Sequence, residues 1–287
     1  MKLKRTILLC PFIYALVGAT VALAAETEER QTIRKSFTLA GDRERRLELD
    51  NFEGTVKVTG TTSAEVEFVI DETVEADSAE RAAAARRETH LDLTQTNNAI
   101  RCYADGPFRC RNGSNNFHGW KTLGYKVRYD IAVKLPAGTD YQVKTVNGGD
   151  LEIENTSGSF NLDNVNGAVH MTGITGAGHV YALNGGVRVK FTANPTAPCY
   201  FGSLNGNVEV WFRPGLSADA RLKTFNGHAY ADFPVSSLPS DPPTKKVVNG
   251  RQIYRSGEFQ GARIGQGGPE LKFDSFNGDI RILEQKN

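Results

Sequence analysis

An apolar residue followed by Asn-Gly recurs through the C-terminal half of the chain, at Val146-Asn147-Gly148, Val165-Asn166-Gly167, Leu183-Asn184-Gly185, Leu204-Asn205-Gly206, Phe225-Asn226-Gly227 and Phe276-Asn277-Gly278. The steps between successive Asn residues are 19, 18, 21, 21 and then 51 residues. A period near 20 is too short for paired-helix repeats and suits one coil of a β-solenoid. Apolar residues also stand four positions before each Asn, at Val143, Leu162, Val180, Phe201, Leu222 and Phe273. Three and five positions after it come Val169 and Met171, Val187 and Val189, Val208 and Val210, Ala229 and Ala231, and Ile280 and Ile282, with Leu151 and Ile153 displaced by one in the first copy. This period-two alternation is that of strands with one buried face. Asn and Gly tolerate positive φ, which places the dipeptide at a corner between strands. The same dipeptide is also the strongest two-residue hairpin signal, so a meander of hairpins is the structural rival, although a meander needs no fixed step.

A degenerate copy lies upstream, where Leu47, Leu49, Phe52, Gly54, Val56 and Val58 fit the frame with Glu53 in the Asn position. The stretch from there to Asn147 does not repeat and is expected to form an inserted elaboration or cap over residues 60–140. Val66, Phe68 and Ile70 alternate as a strand. A helix is expected from Asp77 to about His90, with Asp77 and Glu80 as a capping box. His90 to Thr96 and Ala99 to Tyr103 read as a strand pair around Asn97-Asn98, and Tyr125 to Leu135 as a strand ending at Pro136. Residues 234–268 form an insertion that accounts for the long last step. Its Gly261 to Gly268 stretch reads as a loop, because no helix follows it.

Lys2, Lys4 and Arg5 precede an apolar run from Ile7 to Leu23 and the small-residue exit Ala22-Leu23-Ala24, the order of a secretory signal peptide over residues 1–25. The run is long enough for an uncleaved anchor, but Pro11, Gly18 and the exit favour cleavage, with the mature chain starting at Ala25 or Glu26. Cys10 follows Leu8-Leu9 without the small residues that a lipoprotein site needs. Of 34 Lys and Arg against 33 Asp and Glu, cleavage removes three cations and leaves 31 against 33. That near-neutral balance carries no nucleic-acid footprint. About 260 residues remain, enough for a single domain over 26–287, extracytoplasmic, with no membrane span after cleavage.

Three cysteines survive cleavage. In an oxidising compartment Cys102 and Cys110 are the expected disulfide, across Asp105-Gly106-Pro107. Cys199 falls in a column with Tyr141, Phe160, Ala220 and Leu271 and reads as a small buried apolar residue. A two-cysteine metal site lacks ligands, since His118 and His90 are the only imidazoles nearby.

The run Tyr129-Asp130-Ile131-Ala132-Val133-Lys134-Leu135-Pro136-Ala137-Gly138, followed by Val143-Lys144-Thr145-Val146-Asn147-Gly148, resembles the bacterial putative-adhesin family of unknown function. Members carry a strand ending in Pro-x-Gly and then strand repeats closed by Ser-Gly or Asn-Gly corners. The likeness spans Phe37 to Leu283, with the two insertions as departures. It implies a secreted or envelope-associated β-solenoid with an adhesin-like role, and it carries no catalytic residues over.

No motif for hydrolysis, phosphate binding or dinucleotide binding occurs, and nothing calls for a cofactor or metal. Gly148-Gly149-Asp150-Leu151 resembles half of a calcium-binding nonapeptide, but such sites need successive copies and only one is present. Asn112-Gly113-Ser114 and Asn155-Thr156-Ser157 match the glycosylation sequon. What remains for function is the outward surface. His170, Arg188, Glu209, Tyr230 and Arg281 follow the Asn by four, and Thr172, Lys190, Trp211 and Asp232 by six. Arg188, Lys190, Glu209, Trp211, Tyr230 and Asp232 are the candidate binding face for an envelope protein or polysaccharide, with Trp211 and Tyr230 expected on consecutive coils. The bland alternative makes them the solvated side of strands, with Trp211 covered by the insertion from Pro234 to Gly257. Three functions stay open: a non-catalytic adhesin-like or structural envelope protein, which the scaffold favours; a solenoid polysaccharide lyase or hydrolase using Glu209 and Asp232 beside Lys190 and Arg188; and a regulatory partner of an envelope signalling system.

Overall fold

The computed structural model of the chain describes residues 26–39, 44–110, 112, 114–116, 122–240, 244–249, 251–255 and 259–286. The expected leader over 1–25, with Cys10, lies outside them, as do Gly113 and His118. The described residues are nearly all β, in two large sheets of ten and eleven strands, a separate two-stranded sheet and the helix Ala79–Glu88.

Each copy of the repeat gives one strand to each large sheet, and its Asn-Gly lies where the chain passes from one to the other. In the eleven-stranded sheet the strands Asp140–Thr145, Phe160–Asn166, Gly178–Asn184 and Cys199–Asn205 lie side by side in parallel. The register sets like on like: Val143 beside Leu162, Leu162 beside Val180, and Val180 beside Phe201. In the ten-stranded sheet Leu151–Glu154, Val169–Ile174, Val187–Phe191 and Val208–Phe212 do the same. The inward columns are buried, and Phe191, Phe201, Phe212 and Phe273 are fully enclosed. Phe191 meets Phe212 in its own sheet at 5.3 Å and Phe201 of the facing sheet edge-on at 6.1 Å. Burial of a ring of this size contributes about 1.5–3 kcal/mol.

The upstream copy holds its predicted frame. Leu47 and Leu49 pair with Tyr141 and Val143, Val56 and Val58 pair with Leu151 and Ile153, and Glu53 bridges to Asn147. The sheets nevertheless are mixed and not purely parallel as expected. Thr27–Thr38, Glu65–Ala76 and Tyr125–Pro136 pair antiparallel at one end of the ten-stranded sheet, and His90–Thr96 with Ala99–Asp105 close the matching end of the other. The non-repeating segment is thus an elaboration that extends the two sheets at one end. Its helix is capped by Ser78, whose side chain accepts from Arg81 N, one residue later than the Asp77 box expected.

The order of rungs also departs from chain order. The strands Glu270–Asn277 and Ile280–Glu284, from the last copy, insert between the fourth copy and the fifth. Phe225-Asn226-Gly227 is thus the outermost rung, and Phe276-Asn277-Gly278 lies inside it. The 234–268 insertion supplies two strands at this edge, Gln260–Ile264 antiparallel to Ala218–Asn226 and Val235–Leu238 antiparallel to Gln260–Ile264, so only the second half of the glycine-rich stretch is the expected loop. Between them Thr244–Val248 and Arg251–Arg255 form a hairpin, turning at Asn249 with φ 49°. No described helix is long and apolar enough to cross a membrane.

Candidate functional site

Polar columns run through the whole stack and explain the Asn-Gly repeat. The Asn side chains form a ladder, each amide nitrogen donating to the carbonyl oxygen of the rung below: Asn166 to Asn147 at 2.7 Å, Asn184 to Asn166 at 2.9 Å, Asn205 to Asn184 at 2.8 Å, Asn277 to Asn205 at 2.7 Å and Asn226 to Asn277 at 2.7 Å. A second column, interrupted by Ala182, lies two residues before the Asn on the inward face. There Ser203 donates to Gly185 O at 2.8 Å, Ser275 to Gly206 O at 3.1 Å and Thr224 to Gly278 O at 3.1 Å.

Among the six Asn-Gly corners the expectation of positive φ holds only at Gly148, φ 88°. At Gly167, Gly185, Gly206, Gly227 and Gly278 a Cβ would collide with the carbonyl of the rung beneath. None of Asn147, Asn166, Asn184, Asn205, Asn226 and Asn277 has positive φ. Glycine is required there by close backbone approach and Asn by the amide ladder, a different physical cause for the same residues.

On the outward side of the ten-stranded sheet, Arg188 pairs in register with Glu209 and Lys190 with Trp211. Glu209 is 8% exposed although it points away from the core. Arg188 Nε reaches its Oε2 at 2.9 Å and Arg281 Nη1 its Oε1 at 3.1 Å, and Arg281 also holds Asp279 at 3.1 Å. The backbone N–H of His228, donating to Asp279, lowers the pKa of that carboxyl, with Arg281 adding to the effect. Lys190 Nζ stands 5.3 Å from the centre of the Trp211 ring, within cation–π range. On its other side Trp211 pairs with Leu283. Trp211 is half-buried, and among the described residues none of its ring contacts or hydrogen bonds comes from the 234–257 insertion, whose edge strands belong to the other sheet.

Tyr230 and Asp232 do not join this group. The last copy lies between, so Tyr230 pairs with Arg281 and not with the Trp211 rung, against the expectation of consecutive coils. Tyr230 is 52% exposed, with the Arg281 guanidinium 6.0 Å from its ring centre. Asp232 accepts from Glu284 N at 3.0 Å. Arg188, Glu209 and Arg281 make one charged row, Lys190 and Trp211 an adjoining pair, and Tyr230 with Asp232 the end of the stack.

The sequence reading passed over the outward side of the other sheet. His179 and Tyr200, paired in register, stack at 4.5 Å, and Tyr200 and Tyr181 both lie over Gly202, leaving no room for a side chain there. Burial lowers the His179 pKa and, together with Asp274, raises that of Tyr200. The apolar residue before each Asn faces the same way. Phe276 is 44% and Phe225 72% exposed, and they stack at 4.8 Å. The period-two frame carried both signals at one, three and five positions before the Asn.

The cysteines differ from expectation. Cys102, Cys110 and Cys199 are free. Cys102 faces the core from the strand Ala99–Asp105 while Cys110 is exposed beyond Arg109, and the expected disulfide is not seen between them. Burial pushes the Cys102 thiol up to about 12 and the Cys199 thiol to about 11. Cys199 keeps its predicted column beside Leu271. No group of three or more His, Cys, Asp or Glu placed to hold a metal occurs among the described residues.

Known structures share the chain's extent but little of its detail. A putative cell adhesion protein from Clostridium sporogenes covers 90% of this chain and all of its own, at 12% identity and a TM-score of 0.38. A putative adhesin from Bacteroides fragilis covers 89%, and 97% of itself, at 13% identity and 0.40. One from Parabacteroides merdae covers the same shares at 10% and 0.22. No family model and no curated protein matches the chain.

Proposed function

We propose that this chain is a non-catalytic, extracytoplasmic β-solenoid of the adhesin-like kind, with the two sheets as the two sides of its coils and its outward surface as the binding element. The observation that supports this most is the engagement of Glu209, the first carboxylate that a lyase or hydrolase would recruit. It is held between Arg188 and Arg281 with both oxygens used. Asp232 is likewise committed to a backbone N–H, and Lys190 lies over Trp211. A general acid or base must reach a substrate proton, and groups tied to their neighbours as rungs of a ladder suit a scaffold better than proton transfer. The ordered leader signals in the sequence support a location outside the cytoplasm.

The binding element in this proposal is the row Arg188, Glu209 and Arg281 with Lys190 and Trp211 beside it, a half-exposed aromatic among fixed charges that suits a polysaccharide or a protein surface. A glycan array on the mature protein, compared with Trp211→Ala, tests it. Specific binding to one glycan class, weakened by about 1–3 kcal/mol in the variant, is the expected result. Release of reducing sugar from any bound polysaccharide would overturn the non-catalytic reading.

A further inference from the structure

We infer that the outward face of Arg188, Lys190 and Trp211 takes the carboxylates of an acidic, uronate-bearing polysaccharide, which rests on the glycan-binding role proposed for that face. Charge carries the inference. Lys57, Lys126 and Lys134 of the same sheet each meet a carboxylate. Lys190 is exposed and meets none among the described residues: its register neighbours are Thr172 on one side and Trp211 on the other, and its ammonium stands over the Trp211 ring. Arg188, two residues earlier on the same strand face, has its side chain 59% exposed and gives only Nε to Glu209, which leaves both terminal nitrogens for a ligand. Arg213, two residues after Trp211, is exposed as well and pairs with no carboxylate among the described residues, while Asn194 fixes its backbone at both N and O. The two carboxylates that meet these cations and Arg281 are already engaged, Glu209 between Arg188 and Arg281 and Asp279 by Arg281 and His228 N. In a chain whose 34 Lys and Arg nearly balance 33 Asp and Glu, the face is a local excess of positive charge.

The donors select the class of ligand. A planar carboxylate matches the two terminal nitrogens of a guanidinium, and an ammonium held over an indole adds a point charge beside it. Residues two apart on a strand stand about 6.6 Å from each other on one face, so Arg188 and Lys190 reach more than one anion, as a polymer with a charge on its successive units presents them. The half-buried Trp211 ring supplies the apolar contact that the C–H faces of a sugar need. A neutral glycan would use that ring and leave both cations without a counter-charge. An acidic peptide fits less well, because Val187–Phe191 and Val208–Phe212 are bonded on both edges. Strand addition therefore has no backbone groups to use, and only side chains can read the ligand.

The probes are polygalacturonate, alginate and hyaluronan, each beside its carboxyl-reduced, neutral form, with poly-glutamate as the peptide polyanion. Expected is saturable binding of the mature protein to at least one acid polymer, about tenfold tighter than to its reduced form and weakened as salt is raised. Lys190→Met, which keeps an apolar stem against the ring, should weaken it about fivefold with the melting temperature unchanged, and Lys190→Arg should retain it. Trp211→Ala should weaken it too. Absence of saturable binding to every acid polymer overturns the inference and, where the neutral forms also fail to bind, the glycan face as well. Equal binding to acid and reduced forms, lowered by Trp211→Ala but indifferent to Lys190→Met, overturns the inference and leaves the glycan face standing. Binding indifferent to both variants lies on another surface and overturns both readings. Poly-glutamate bound as tightly as the polysaccharides would overturn the sugar as occupant.

Discussion

Gly206 shows how one residue is fixed by its neighbours in space and not by its own dihedral. A Cβ there would collide with the Gly185 carbonyl oxygen and stand 2.6 Å from its carbon and 2.7 Å from Gly186 N. Backbone of the neighbouring rung cannot give way as a flexible side chain would. Gly206→Ala should therefore cost about 1–3 kcal/mol, as overpacking does. Gly138→Ala, where the nearest atom is Ser157 Oγ at 3.8 Å, should be neutral or slightly stabilising. Equal melting temperatures for the two variants would contradict the close-approach account. The cysteines make a second contrast. Exposed Cys110 should label with a thiol reagent in native protein, while Cys102 and Cys199, buried and with raised pKa, should label only on unfolding. Two protected residues in non-reduced, denatured protein would instead restore the disulfide.

At the scale of elements, the junction between the non-repeating strand Tyr125–Pro136 and the first rung depends on Asp130. Its Oδ1 accepts from Thr55 N at 2.8 Å and Thr55 Oγ1 at 2.6 Å, and Arg128 reaches both oxygens at 2.7 Å. Burial alone would raise this carboxyl's pKa, but Arg128 and Thr55 outweigh it and the net direction is below 3.8. A depressed carboxylate pKa adds stability that is present above the unfolded value and lost as pH falls through the folded one. Asp130→Asn should then be less stable than the parent at pH 7, by about 1 kcal/mol for a partly exposed pair. The gap should close as pH drops below 3.8. A gap that is constant with pH would mean that charge plays no part. Most such elements were legible from period-two alternation: the strand ending at Pro136, the pair around Asn97-Asn98 and the degenerate copy at Glu53 all stand where the pattern puts them. Alternation reports which face is buried, but it is silent on what an outward residue meets. That is why Glu209 read as a surface charge and proved to be clamped, and why Phe225 and Phe276 read only as markers of the repeat. Spacing likewise does not say that Cys102 faces inward while Cys110 is exposed.

The whole molecule differs from a simple one-dimensional array in one respect that no local pattern encodes, the order of its rungs. Copies four and five are joined directly in sequence, yet the last copy lies between them, so Glu209 pairs with Arg281 and Tyr230 with the other side of the same residue. In an array where chain order and spatial order agree, loss of the terminal repeat costs its own interface and leaves the rest standing. Here the C-terminal strands Glu270–Asn277 and Ile280–Glu284 are interior ones, bonded on both edges. The chain up to residue 268 would keep the sequence of the fifth copy but lose the surface it packs on. Truncation after Gly268 should accordingly release the fifth copy and its antiparallel edge strands as well, giving proteolytic cleavage from about Arg213 onward, at low-stability, locally unfolded backbone. It should also expose Phe201, Phe212 and the Phe191 contact that Phe273 and its neighbours enclose, and lower the stability of the remainder well beyond a single rung's share. Protection of Ala218 to Asn226 in the truncated protein, by hydrogen exchange or limited proteolysis, would show that the fifth copy can dock on the fourth directly and that the inserted order is not obligatory.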